Sequence, residues 1–296
     1  MDKTKTTDFT KIPQEQIVAY YGLGFAAAAS DGSIDKEEMQ LIFETLDISF
    51  LDEKHQKKVR QYILKPPSET SCLNKLKKAP ETLRFAVVVN VMEVLLADDI
   101  ISEDEAVFLK KVCKKLGVNQ EQRKAIEKFI LEAKRIKERG LNDNTAEKAL
   151  KSALSGITAV GVPIASVYLS GSVIGLSAAG ITSGLAALGF GIGMIPGIGV
   201  AIVLGTAIFI GLRAILGDSK KNKEKKLRLE AERKAQLAIK NLQDTISVIL
   251  ERICALEERT SDHEENARIV DDLRGRLLAL RGILTRKRTV FAEATS

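Results

Sequence analysis

From Gln14 to about Arg139 apolar residues recur three and four apart and few strand-like alternations occur, a spacing that predicts a run of amphipathic helices. The pattern changes at Ser152. From there to Leu212 the chain holds 61 consecutive residues without Asp, Glu, Lys, Arg or His. Beyond it, Ala235, Ile239, Leu242, Ile246, Ile249, Ile253 and Leu256 step alternately by four and three, and Val270, Leu273, Leu277, Leu280 and Leu284 follow in a second row. Such rows predict two helices that bury a seam against one another or against a second chain. The resulting expectation is an all-α protein in several parts: a flexible start (1–12), a helical domain (13–140), a linker (141–152), an apolar hairpin (153–217), a basic helix with a coiled-coil hairpin (218–290) and a tail (291–296).

Pro163, Pro196 and the glycine-rich run Gly189 to Gly197 divide the uncharged stretch into two apolar segments, about Ile164 to Leu188 and about Pro196 to Leu216. Each is near the roughly 20 residues that cross a hydrocarbon core as a helix. Glycine and proline between them break helices. Small residues recur at Gly171 and Gly175, at Gly180 and Gly184, and at Gly189, Gly193, Gly197 and Gly205, spacings that let helix backbones approach closely in lipid. No ionisable side chain lies inside, so the stretch offers no proton relay or ion pathway.

Charge sharpens this picture. Residues 1–150 are neutral in sum, and the net charge of +6 is concentrated between Arg213 and Lys240. Within that excess Lys220, Lys221, Lys223, Lys225 and Lys226 stand just behind the second apolar segment, placed to contact anionic lipid headgroups. Lys148 and Lys151 flank the other end. Positive flanks on both sides of two crossings predict that both termini face the cytoplasm. Three readings compete: a permanent membrane anchor, a sheltered hairpin that inserts on a signal, and a buried hairpin of a soluble protein. In its glycine, alanine and serine content the stretch resembles the hydrophobic hairpins of colicin-like pore-forming domains, which fits the second reading.

The helical domain contains an internal repeat. Ala28-Ala29-Ser30-Asp31-Gly32-Ser33-Ile34-Asp35 leads into Glu38, and Leu96-Ala97-Asp98-Asp99-Ile100-Ile101-Ser102 leads into Glu105. Each copy is a helix end, an acidic turn, an isoleucine, then a cap with Glu three residues later, the spacing of a capping box. This duplicated pattern, closed in the second copy by Leu116-Gly117-Val118, resembles the tellurite-resistance TerB-like domain family over roughly residues 12 to 140. The resemblance implies a helical sensing or scaffolding module of a bacterial stress-response or defence system. It also implies a divalent-metal site, for calcium, magnesium or zinc, at Asp31, Asp35, Glu38, Asp98 and Glu105. Asp99 and Ser102 depart from the family pattern. Turns and caps alone also account for these residues.

Composition excludes several classes. Cys72, Cys113 and Cys254 are widely separated, which supports neither a zinc ribbon nor a disulfide framework, and they read as reduced thiols. His55 and His263 leave no constellation for a histidine-rich metal site or a Cys/His dyad, nothing marks any of the many acidic residues as a buried general base, and neither a nucleophile elbow nor a phosphate loop occurs, so no catalytic residues are assigned. Gly189, Gly191 and Gly193 lack the following polar helix of a nucleotide loop. The polar start, MDKTKTTDFTKIPQEQ, lacks the apolar core of a signal peptide. The lysine run has no interleaved aromatics, so nucleic acid is disfavoured as a partner. The expectation is a non-enzymatic sensor or scaffold at the bacterial inner membrane, or cytoplasmic with conditional insertion. Its partners are lipids and either a second copy or another protein, met through hairpin and coiled coil. The alternatives are a membrane-permeabilising effector whose hairpin oligomerises, and a soluble helical interaction protein with a sheltered hairpin.

Overall fold

A computed structural model describes residues 12–32, 34–46, 48–97, 101–139, 149, 152–153, 155–163, 166, 220–257 and 263–295. Among them every regular element is a helix. The N-terminal part comprises α1 (Gln14–Ala28), α2 (Lys36–Thr45), α3 (Glu53–Gln61), α4 (Glu69–Leu76), α5 (Glu81–Leu95), α6 (Glu103–Leu116) and α7 (Gln120–Arg139). The C-terminal part is α8 (Lys220–Glu257) and α9 (His263–Thr295).

The repeat becomes two helix pairs, α1–α2 and α5–α6. The first member of each pair has a long uncharged run: α1 is buried at every position from Ile17 to Ala28, and α5 from Phe85 to Met92. A helix apolar all round belongs inside, and these two form the centre of the domain. Around them α2, α3, α4 and α6 expose their polar faces. Phe25 of α1 meets Phe43 of α2 and Tyr62 beyond α3 edge-on, with ring centroids 6.2 and 6.1 Å apart, the geometry that the ring quadrupoles favour. At Gly22 the absent side chain lets Pro67, Tyr62 and Cys72 approach: an added Cβ would lie 2.9 Å from the Pro67 ring.

Helix ends are closed by local chemistry. Asp52 caps α3 and Ser68 caps α4, each side chain accepting a backbone N–H of the first turn. At the end of α6, Gly117 takes the left-handed conformation (φ 74°), Val118 N–H returns to the Cys113 carbonyl, and Arg84 donates to the Leu116 carbonyl at 2.6 Å. The ammonium of Lys134 on α7 donates to the carbonyls of Leu96 and Ala97 at 2.8 and 2.9 Å, closing the end of α5.

The two C-terminal helices pack along one another within the chain. Arg274 of α9 reaches back to Glu257 at the end of α8 at 2.8 Å. Leu242, Ile246, Ile249, Ile253 and Leu256 are buried in α8, as are Val270, Leu273, Leu277 and Leu280 in α9. The second seam departs from its predicted course at the end. Ile283 is fully buried where Leu284 was expected, and Leu284 is only half-buried. Beyond Leu280 the buried positions of α9 are Ile283 and Lys287, so the buried face turns away from the predicted seam there.

The hairpin also docks on the N-terminal domain, which the sequence did not announce. Helix α8 touches α2 and α3, and α9 touches α2. The Asn241 amide donates to the carbonyl of Leu46 at 2.8 Å, Arg60 pairs with Asp244 at 2.7 Å, and Arg276 donates to the Ile63 carbonyl.

Candidate functional site

The two capping boxes form as the repeat predicts. Asp35 N–H donates to Glu38 Oε2 at 3.0 Å and Glu38 N–H to Asp35 Oδ1 at 2.7 Å; Ser102 N–H donates to Glu105 Oε2 at 2.6 Å and Glu105 N–H to Ser102 Oγ at 3.3 Å. The third-position glutamates point inward instead of out to solvent. Glu38 retains 6% exposure and Glu105 7%. Burial pushes the Glu38 carboxyl up to about 8, and the neighbouring charges of Asp35, Glu105 and Asp31 act in the same direction against the lowering effect of the Asp35 N–H. Four of the five acidic residues singled out in the sequence, Asp31, Asp35, Glu38 and Glu105, therefore share one electrostatic neighbourhood. Asp98 lies outside the described residues.

One oxygen of each glutamate accepts a backbone N–H within its capping box, and hard cations such as calcium take six or more oxygen ligands. Among the described residues no three His, Cys, Asp or Glu side chains are placed to hold a metal. A cleft of about 480 Å³ opens between the end of α1, the Pro66-Pro67 turn and α6, lined in part by Ser30, Glu69, Asp104, Phe108 and Lys111; neither Glu38 nor Glu105 lines it.

Other reactive groups are tied into the fold. Burial pushes the thiols of Cys72 and Cys113 up to about 11, so they stay protonated and inert at neutral pH. Cys254 is exposed on α8. His55 lies between Asp52, 2.8 Å from Nδ1, and Glu15, 3.3 Å from Nε2. Glu15 also pairs with Lys75, and that hydrogen bond holds its carboxyl below the usual range. The network braces the starts of α1 and α3 against α4.

The residues of the apolar hairpin, Gly171, Gly175, Gly180, Gly184, Gly189, Gly193, Gly197 and Gly205, lie outside the described residues. Among the described residues no helix is long and apolar enough to cross a membrane. Lys220, Lys221, Lys223, Lys225 and Lys226 fall in the first two turns of α8, and their side chains are outside the description.

The fold and the paired capping boxes define a duplicated helical domain with an appended helical hairpin. Residues 25–130 match the model of a family described as Protein of unknown function (DUF533), a TerB-like family. The family model thus coincides with the repeat, from the end of α1 into α7. No curated protein and no solved structure matches the chain.

Proposed function

We propose that the protein is a membrane-associated, non-enzymatic sensor or scaffold of the bacterial stress-response kind, in which a TerB-like domain on the cytoplasmic side is coupled to a hydrophobic hairpin. The observation that carries this reading is the docking of α8 and α9 on α2 and α3. It ties the parts that precede and follow the uncharged stretch into one body through Asn241, Arg60–Asp244 and Arg276. A stretch that leaves and rejoins one body on one side of a bilayer crosses it an even number of times, and Ser152 to Leu212 is long enough for two crossings. The basic start of α8 then lies at the anionic leaflet. The buried acidic pair is the sensing element in this scheme, because a change in its charge acts directly on the start of α2, the helix that the hairpin rests on.

Membrane fractionation with a carbonate wash tests the reading. The protein is expected in the washed membrane pellet, and its full recovery in the soluble fraction overturns permanent anchoring. The row of small residues from Gly189 to Gly205 supports a second reading, an effector whose hairpins associate and permeabilise the membrane. Expression then depolarises cells, and Gly193→Leu or Gly197→Leu suppresses the effect; a scaffold leaves the potential unchanged.

A further inference from the structure

The two halves of the internal repeat end their first helices differently. Glu38 aligns with Glu105 in the repeat, so Ala29 and Ser30 behind α1 align with Leu96 and Ala97 behind α5. At the second of these ends the ammonium of Lys134 donates to the carbonyls of Leu96 and Ala97 at 2.8 and 2.9 Å. A cation suits that place, because the last carbonyls of a helix lack intrahelical partners and carry the negative end of its dipole. At the first end lies the cleft of about 480 Å³, with Ala26, Ala29 and Ser30 in its lining. Pro66 and Pro67 border it and have no N–H to donate. Lys111, the basic residue of the lining, pairs with Glu69 at 3.6 Å and is 61% exposed. The Ser30 hydroxyl oxygen is enclosed and has no hydrogen-bond partner among the described residues.

The rest of the lining specifies the ligand. Ala26, Ala29, Pro66, Pro67, Val107 and Phe108 are apolar, and Glu69 and Asp104 set two carboxylates against the one ammonium of Lys111. Lysine joins an apolar stem to a charged head with three donors, which matches an apolar cleft beside a helix C-terminus and an excess of carboxylate. Val107 is 53% exposed, so the cleft also offers an apolar surface to the neighbours of such a lysine, which favours a polypeptide over a free amine. We infer that the cleft is a receptor for a lysine side chain of a partner protein, held at the end of α1 as Lys134 is held at the end of α5. The inference is independent of the membrane reading and gives the domain a docking partner of defined chemistry.

The test titrates the full chain in mild detergent, isotope-labelled at its alanine methyl groups, with acetyl-Leu-Lys-Leu amide and reads the methyl signals by nuclear magnetic resonance. The Ala26 and Ala29 signals are expected to shift and saturate. The same peptide with acetyllysine in place of lysine is expected to bind about tenfold more weakly, the weight of one charge-assisted hydrogen bond, and butylammonium alone to bind more weakly than the lysine peptide. Asp104→Lys and Val107→Lys, each setting a cation in the lining of the cleft at an exposed position of α6, are expected to weaken the lysine peptide about tenfold, and circular dichroism checks that both variants keep their helices. Equal affinity for the lysine and acetyllysine peptides, or no shift at Ala26 and Ala29, overturns the receptor. Butylammonium binding as tightly as the peptide overturns a polypeptide as its source. Binding left unchanged by both variants overturns the cleft as its place.

Discussion

Replacing Glu38 by Gln isolates the electrostatic cost of the buried acidic pair. Glutamine keeps the capping box, because its side-chain oxygen still accepts the Asp35 N–H, and it removes the titration. In the folded protein the Glu38 carboxyl is raised from 4.5 to about 8, so the native state binds this proton more tightly than the unfolded chain does. Stability from this group is therefore full below 4.5 and is lost as pH rises through about 8. At about 1.4 kcal/mol per pH unit the interval corresponds to roughly 5 kcal/mol for a fully enclosed group, and residual solvent screening and relaxation leave about half. Chemical denaturation of the full chain at a series of pH values reads the effect. Glu38→Gln is expected to match the parent near pH 5 and to exceed it by about 2 kcal/mol near pH 8.5, a rise of several degrees in Tm. Equal stability at both pH values, or an advantage that grows toward acid, would refute the claim that Glu38 is buried among like charges.

Other consequences are local. Gly22→Ala pushes a methyl group against the Pro67 ring and should cost about 1–3 kcal/mol by overpacking, measurable as a lower denaturant midpoint with an unchanged slope. Gly117→Ala places a side chain in the left-handed cap of α6 and should cost about 1 kcal/mol in the same assay. At pH 7 a maleimide should modify Cys254 within minutes and leave Cys72 and Cys113 untouched until the domain unfolds, as peptide mapping would show.

What the sequence revealed was what short-range physics controls. The two capping boxes need only four consecutive residues each, and both formed as their Asp-x-x-Glu and Ser-x-x-Glu spacings required. The α8–α9 seams were legible for the same reason, apart from the end of α9, where Ile283 is buried in place of Leu284. The docking of the hairpin was not, because it rests on Asn241, Asp244, Arg60 and Arg276, polar residues that leave no mark in a hydrophobic period. Thr245, fully buried in α8, reads in the sequence as a surface position beside the seam. The acidic turns were half legible. Their residues were named, yet a list of carboxylates does not show that Glu38 and Glu105 each commit an oxygen to a backbone N–H, and that burial keeps a proton on Glu38.

The central claim is that the uncharged stretch is a membrane hairpin whose two flanks lie on one side. Labelling by a membrane-impermeant maleimide, applied to intact and to permeabilised cells, tests it most directly, with native Cys254 reporting the flank after the stretch and Lys110→Cys, exposed on α6, reporting the domain before it. Both positions are expected to react only after permeabilisation, in protein that remains in the carbonate-washed membrane. Labelling of either position in intact cells, or of both in protein that stays soluble, would contradict the account.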